Sequence, residues 1–318
     1  MKQVMAKRMA LKVAALVAGV MLAGASAAQT APTVGTIVRV ATDKGPIDIQ
    51  LYDTDAPATV ANFLSYVRKG AYTGGLLHRS VKNFVIQGGG FSFNEDSNPR
   101  MASIPTDAPV NNEFNAARSN VRGTIAMAKL DNAPNSATSQ WFVNLANNGA
   151  GASTNLDSNN GGYTVFGRIS TPSMATVDAL AALPTVDARA CTTTLGPQAT
   201  ALATLPLAQP LVPVTCANIK AVNVVQMRWA KELPAKATST DTDRVLNYLE
   251  AMYPQHIAPA SPTTQTAQGY TYRYYAGTNA HVGSKDGVVY YLVPAVSAEI
   301  QTLGPLAELL QQAAAAGY

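Results

Sequence analysis

His78-Arg79-Ser80-Val81-Lys82-Asn83-Phe84-Val85-Ile86-Gln87-Gly88-Gly89-Gly90-Phe91 joins a polar pair, an apolar run and a glycine triplet within fourteen residues. It lies in a region of short apolar strands separated by Gly- and Asn-rich loops, such as residues 147–162. The three glycines lack the spacing of a dinucleotide-binding loop, so they are read as permitting a tight backbone path. Nothing around them supplies ordinary catalytic machinery. The chain has no Gly-x-Ser-x-Gly elbow, no His-Glu-x-x-His helix and no P-loop lysine. His78, His256 and His281 are scattered and show no ligand spacing, so neither a metal nor a cofactor is expected.

Upstream of this block, residues 36–42 (TIVRVAT) and 46–52 (PIDIQLY) flank Asp43-Lys44-Gly45, which is turn chemistry, and so predict a hairpin. A helix is predicted from Asp55, with Pro57 tolerated in its first turn. Val60, Phe63, Leu64 and Val67 fall on one face, and Gly70 stops the run. Downstream, Thr171 reads as the cap and Pro172 as the first position of a second helix that faces inward with Met174, Val177 and Leu180. Residues 219–227 (IKAVNVVQM) read as a closing strand. Many short strands with two helices predict an antiparallel barrel with helical lids.

The chain has 318 residues, 47% hydrophobic and only 13% charged, which excludes a disordered protein. Its formal charge of +4 sits entirely in residues 1–28, where Lys2, Lys7, Arg8 and Lys12 face no acid. The remainder is formally neutral and carries no electrostatic footprint for nucleic acid. Residues 1–28 are predicted to be a signal peptide: a basic start, the apolar run VAALVAGVMLA, and Ala25-Ser26-Ala27 before a cleavage point near residues 27–28. The apolar run is shorter than a membrane span, so no stable membrane insertion of the mature chain is expected. The predicted location is the periplasm or the exterior.

An even pair of cysteines, Cys191 and Cys216, favours a disulfide in an exported chain. The surrounding loop, residues 190–217, is uncharged and broken by Pro197, Pro206, Pro210 and Pro213, so regular core elements are not expected there. The loop is far in sequence from the block above, and the bond is expected to support the loop's own order but not catalysis. Residues 233–243 (LPAKATSTDTD) read as a linker. Residues 244–318 are tyrosine-rich and predict a small α+β domain, with a helix bearing Val245, Tyr248, Leu249 and Met252, strands at 270–275 and 288–293, and a last helix at 305–315. Tyr270, Tyr272 and Tyr274 alternate on one strand face, with Arg273 and Tyr275 on the other. A half-buried sheet face explains this better than a glycan- or peptide-binding platform.

A second block, Gly123-Thr124-Ile125-Ala126-Met127-Ala128, is followed after a polar loop by Ser136-Ala137-Thr138-Ser139-Gln140-Trp141-Phe142. A third echo is Tyr163-Thr164-Val165-Phe166-Gly167. With the block at 78–91, these motifs resemble the cyclophilin-type peptidyl-prolyl cis-trans isomerases, and the periplasmic bacterial members most closely. The resemblance covers residues 34 to 227. It implies a mainly β fold, a closed eight-stranded antiparallel barrel capped by two helices, here spanning 29–232, with the C-terminal α+β domain appended.

The resemblance also implies the site. Arg79 matches the catalytic arginine, Phe84 and Phe142 the aromatic walls of a proline pocket, and Gln87 and Gln140 its polar contacts. Arg79, Gln87 and Phe84 are therefore the expected catalytic set. Val85, Ala128, Lys129, Gln140, Phe142, Leu156 and Tyr163 are the expected substrate-binding set. Departures from the eukaryotic pattern are Lys82-Asn83 for Pro-Gly, Val85 for Met, Lys129 for Asn, Asn155 for Trp and Tyr163 for His. Taken singly, Arg79 reads as a surface ion-pair residue and the two phenylalanines as core; their joint spacing reverses that. His78 reads as a structural neighbour, since the reaction moves no proton. The expected activity is isomerisation of X-Pro bonds in proline-containing peptides and unfolded exported proteins, without a covalent intermediate. The alternative is a non-catalytic Pro-peptide-binding or chaperone protein of the envelope, favoured by Val85 and Asn155.

Overall fold

Strands β1 (Ile37–Thr42) and β2 (Gly45–Leu51) pair antiparallel, from Ile37 opposite Gln50 to Thr42 opposite Gly45, around the predicted turn. The computed structural model describes residues 35–193, 197–234, 239–257 and 263–318. The leader at 1–28 lies outside the described residues. Val38, Val40, Ile47 and Ile49 of the hairpin enter the main core. Across the same two strands Arg39 stands opposite Asp48 and donates to it twice at 2.7 Å, with both residues buried. A fully desolvated ion pair persists only with such forked geometry.

Helix α1 (Pro57–Arg68) places Pro57 in its first turn and buries Val60, Phe63, Leu64 and Val67, as their spacing predicted. It packs these onto the barrel core. Then come β3 (Gly75–Val81), β4 (Val85–Phe93), the short β5 (Met101–Ser103), β6 (Thr124–Met127), β7 (Trp141–Asn144) and β8 (Val165–Ile169). Helix α2 (Met174–Ala181) follows and starts two residues later than predicted, with Ser173 and not Thr171 at the cap position and Pro172 in the preceding turn. The Ser173 hydroxyl there accepts from the Asp48 amide and does not cap its own helix. Strands β9 (Thr185–Val186) and β10 (Leu205–Pro206) form a separate two-stranded ladder, and β11 (Gln226–Glu232) returns to the main sheet.

The sheet order is β3-β11-β1-β2-β8-β6-β7-β4-β5, and β3 also pairs with β4. That pairing closes the ring, with β5 attached to β4 outside it, which leaves eight strands in the barrel. The closing strand lies later than predicted. Residues 219–225 contribute turns and a single bridge between Leu207 and Val224, while β11 pairs with β1 from Thr42–Met227 to Val38–Glu232. β11 buries Met227 and Ala230 but exposes Arg228 and Lys231, so its charges mask its strand character in the sequence.

The loop between the cysteines is more ordered than predicted. Cys191 and Cys216 are bonded, with Cα atoms 5.1 Å apart. Between them lie α3 (Pro197–Thr200), a 3₁₀ turn (Ala201–Thr204) and β10. Leu202, Leu205, Leu207 and Ile219 form a second core with Leu76 of β3 and Phe91 and Phe93 of β4. Four prolines forbid a long helix here, but the leucines between them still find an apolar surface on β3–β4.

Residues from 239 onward form a separate compact unit. Helix α4 (Asp241–Met252) begins in a capping box between Thr240 and Asp243, so its first turn occupies the end of the predicted linker. The sheet is an antiparallel meander of β12 (Gln265–Ala267), β13 (Tyr270–Tyr275), β14 (Ala280–Lys285), β15 (Val288–Leu292) and β16 (Gln301–Pro305), followed by α5 (Leu306–Ala315). Arg273 faces α4, donating to Asn247 at 2.7 Å and Glu250 at 2.9 Å. Tyr270 and Tyr272 lie half-buried and Tyr274 exposed on the opposite face.

Candidate active site

Hydrogen-bonded registry brings the predicted side chains together. Arg79 of β3 pairs with Gln87 of β4, Gln87 with Phe142 of β7, and Phe142 with Ala126 of β6. Residues directly opposite in a ladder share a face, so one row crosses four strands. The turn between β3 and β4 is made by Asn83 at a φ of 58°, and it returns Phe84 beside Arg79. The guanidinium carbon sits 5.6 Å from the Phe84 ring centroid. The glycine triplet has a specific purpose here. Gly89 has a φ of 81°, and a Cβ on it would lie 2.4 Å from the Ser139 carbonyl oxygen. A Cβ on Gly90 would meet the Gln140 amide at 2.8 Å. Only glycine lets β4 pass that close to the segment bearing Gln140.

The polar groups form a directed chain. An Arg79 Nη1 donates to the Gln87 Oε1 at 3.4 Å, and the Gln87 Nε2 donates to the Gln140 Oε1 at 2.8 Å. Half-burial lowers the pKa of the Arg79 guanidinium from its ordinary value by desolvation, and it remains a cation at any physiological pH. Beside it, Val85, Ala126, Phe142, Leu156 and Val165 make an apolar floor, packed by Phe84, Ala128 and Tyr163. Tyr163 meets Phe142 edge-on at 5.8 Å. The Lys129 ammonium lies 4.7 Å from the Tyr163 ring centroid and donates to the carbonyls of Asn160 and Gly162, each at 2.7 Å. Desolvation lowers the Lys129 pKa to about 8.

The resulting groove has a volume of about 730 Å³, and Arg79, Phe84, Val85, Gln87, Ala128, Lys129, Gln140, Phe142, Leu156 and Tyr163 all line it. Every predicted catalytic and substrate-contacting residue is thus in one cavity. Asn155 is not part of its lining. With a φ of 35°, it turns the chain and accepts from the amides of Ser158 and Asn159. His78 lies behind the groove, fully buried and edge-on to Phe91 at 5.2 Å. Burial lowers its pKa to about 4, with the Leu76 backbone and the Gln140 side chain opposing the shift more weakly.

Sequence reasoning missed several lining residues. Thr106, Pro109, Leu130 and Asp131 sit in irregular segments without periodicity. Ser136 and Thr138 belong to the second block and line the groove beside Gln140. Thr200 and Ala201 come from the disulfide-closed loop. That loop, far from the site blocks in sequence, therefore reaches the groove.

The closed antiparallel barrel thus presents an arginine, two glutamines and an aromatic-walled apolar floor in one groove. The family model described as cyclophilin type peptidyl-prolyl cis-trans isomerase/CLD matches residues 37–195. A peptidyl-prolyl cis-trans isomerase of Acinetobacter baylyi is 41% identical over 175 residues, covering 55% of this chain and 85% of that one. Peptidyl-prolyl cis-trans isomerase cyp18 of Streptomyces antibioticus is 42% identical over 148 residues, covering 46% and 84%. Peptidyl-prolyl cis-trans isomerase B of Escherichia coli is 41% identical, covering 40% and 74%. A solved cyclophilin-type isomerase of Cryptosporidium parvum aligns with a TM-score of 0.43 at 20% identity, over 62% of this chain and 99% of that one. The chain belongs to the cyclophilin-type peptidyl-prolyl cis-trans isomerases, and is an isomerase of that family.

Proposed function

We propose that the protein isomerises X-Pro bonds of exported proteins, with Arg79 stabilising the twisted amide. Rotation about such a bond is slow because amide resonance must be broken, at a barrier of roughly 18–20 kcal/mol. In the twisted state the prolyl nitrogen regains its lone pair. A fixed guanidinium donates to that nitrogen more strongly than to the planar amide, and differential binding of this kind lowers the barrier. Phe84, Val85, Phe142 and Leu156 hold the ring in the apolar floor, while Gln87 and Gln140 grip the neighbouring carbonyl. No bond to the substrate forms, so the reaction needs no nucleophile, base or cofactor.

The observation that carries this reading is the Arg79–Gln87–Gln140 chain running beside the Phe84 and Phe142 rings in one groove. The guanidinium is partly desolvated there, so its hydrogen bond to a developing lone pair is worth more than it would be in water. Export is supported by the leader pattern at 1–28 and by the Cys191–Cys216 bond, which persists in an oxidising compartment. A protease-coupled proline-peptide assay on the mature chain tests the activity. Fractionation of cells expressing the full chain, with cleavage read by mass spectrometry, tests the export.

A further inference from the structure

The disulfide-closed insertion is placed where it can touch a client. Its 3₁₀ turn packs on β3, the strand that carries Arg79. Thr200 and Ala201, at the start of that turn, line the same groove as Arg79 and Phe84. Thr200 is exposed and Ala201 half-buried, whereas the next residue, Leu202, is fully buried in the core shared with Leu76 and Phe91.

Several bonds fix this turn in place. The Ala188 amide donates to the Leu202 carbonyl at 2.9 Å, and Cys191 ties the near end to Cys216. At the far end one Arg100 Nη1 donates to the carbonyls of Cys216, Ala217 and Ile219, at 3.2, 2.7 and 2.8 Å. Short helical turns closed by one covalent bond and a three-carbonyl clamp have little freedom to swing away.

The chemistry of the wall is also defined. Residues 190–219 contain no charged side chain. Among the described residues that line the groove, the charged ones are Arg79, Lys129 and Asp131, and the insertion contributes none of them. A client cation at the turn would be repelled by Arg79. A client carboxylate would compete with the prolyl nitrogen for the guanidinium. Only a neutral side chain leaves Arg79 free for the amide.

We propose that Thr200 and Ala201 form one wall of a client subsite beside Arg79, and that this subsite selects proline-containing segments whose residue flanking the proline on that side is uncharged. The proposal rests on the isomerase reading above and adds a substrate preference to it.

The test uses the full mature chain and proline peptides that are identical except for Leu, Lys or Glu at successive flanking positions. Isomerisation is read by exchange NMR and affinity by the shift of the Thr200 and Ala201 amides. Wild type is expected to favour Leu over both Lys and Glu, by several-fold in kcat/KM, at one flanking position. Thr200→Glu should shift the Lys-to-Leu ratio at that position several-fold toward Lys. Gln209→Glu, an exposed change in the same insertion that does not line the groove, should leave the ratio where it is. Equal Lys-to-Leu ratios in wild type and Thr200→Glu at every flanking position would overturn the subsite. Absence of turnover in wild type would sink the isomerase reading instead. The affinity ratios would then decide the subsite on their own.

Discussion

Acidification from neutrality to pH 4 should destabilise the barrel through one imidazole. His78 is fully buried, and desolvation lowers its pKa from 6.5 to about 4. The folded state thus binds the proton less well than the unfolded chain does. Stability from this group is fully present above pH 6.5, falls as the unfolded chain takes up a proton below that, and is lost once pH reaches about 4. At 1.36 kcal/mol per unit the full loss is about 3 kcal/mol, a large part of an ordinary domain's stability. Urea unfolding of wild type and His78→Leu across this window isolates the contribution, because carboxylates elsewhere titrate equally in both proteins. The wild type should lose about 3 kcal/mol more than the variant between pH 6.5 and 4. At neutral pH the variant should lie within about 2 kcal/mol of wild type, since it replaces a buried neutral ring with an apolar side chain of similar size. Parallel curves for the two proteins would refute the linkage and show that His78 protonates without cost in the fold.

Asp48→Ala removes the buried carboxylate to which Arg39 donates twice, and should cost about 3–5 kcal/mol by chemical denaturation; a loss below 1 kcal/mol would contradict that. Gly89→Ala combines a φ of 81° with a methyl 2.4 Å from the Ser139 oxygen, and should cost at least about 2 kcal/mol together with a displaced Gln140 and lower kcat/KM. Reduction of Cys191–Cys216 reopens a loop with a sequence separation of 25 and should remove about 3 kcal/mol, read as a lower Tm. Because the loop borders the groove, reduction should also weaken the preference for uncharged flanking residues, and intact selectivity in the reduced protein would separate loop from site.

What the sequence disclosed depended on how local each signal was. The first hairpin and α1 are written in adjacent residues: a turn triplet, then Val60, Phe63, Leu64 and Val67 at helical spacing. The groove was legible because its residues occupy three motifs of fixed spacing, and strand registry carries that spacing into space. β11 is hard to place from sequence because Val224 and Val225 suggest a strand, whereas Arg228 and Lys231 conceal the real one. Its pairing with β1 is set by partners nearly two hundred positions away. The role of Thr200 and Ala201 had no local signal at all. It depends on leucines of the insertion packing against Leu76 and Phe91, a long-range contact that periodicity does not encode.

Arg79 is the residue proposed to lower the barrier to prolyl rotation. The most direct test of that role is kcat/KM for a proline peptide in wild type, Arg79→Ala and Arg79→Lys, with urea unfolding of all three. One preorganised donor is worth about 3 kcal/mol, so Arg79→Ala should lose roughly 10²-fold or more. Little recovery is expected in Arg79→Lys, which lacks the fixed fork, and stability should change by less than about 1 kcal/mol at this half-buried position. A folded Arg79→Ala protein with near-wild-type turnover would contradict the claim.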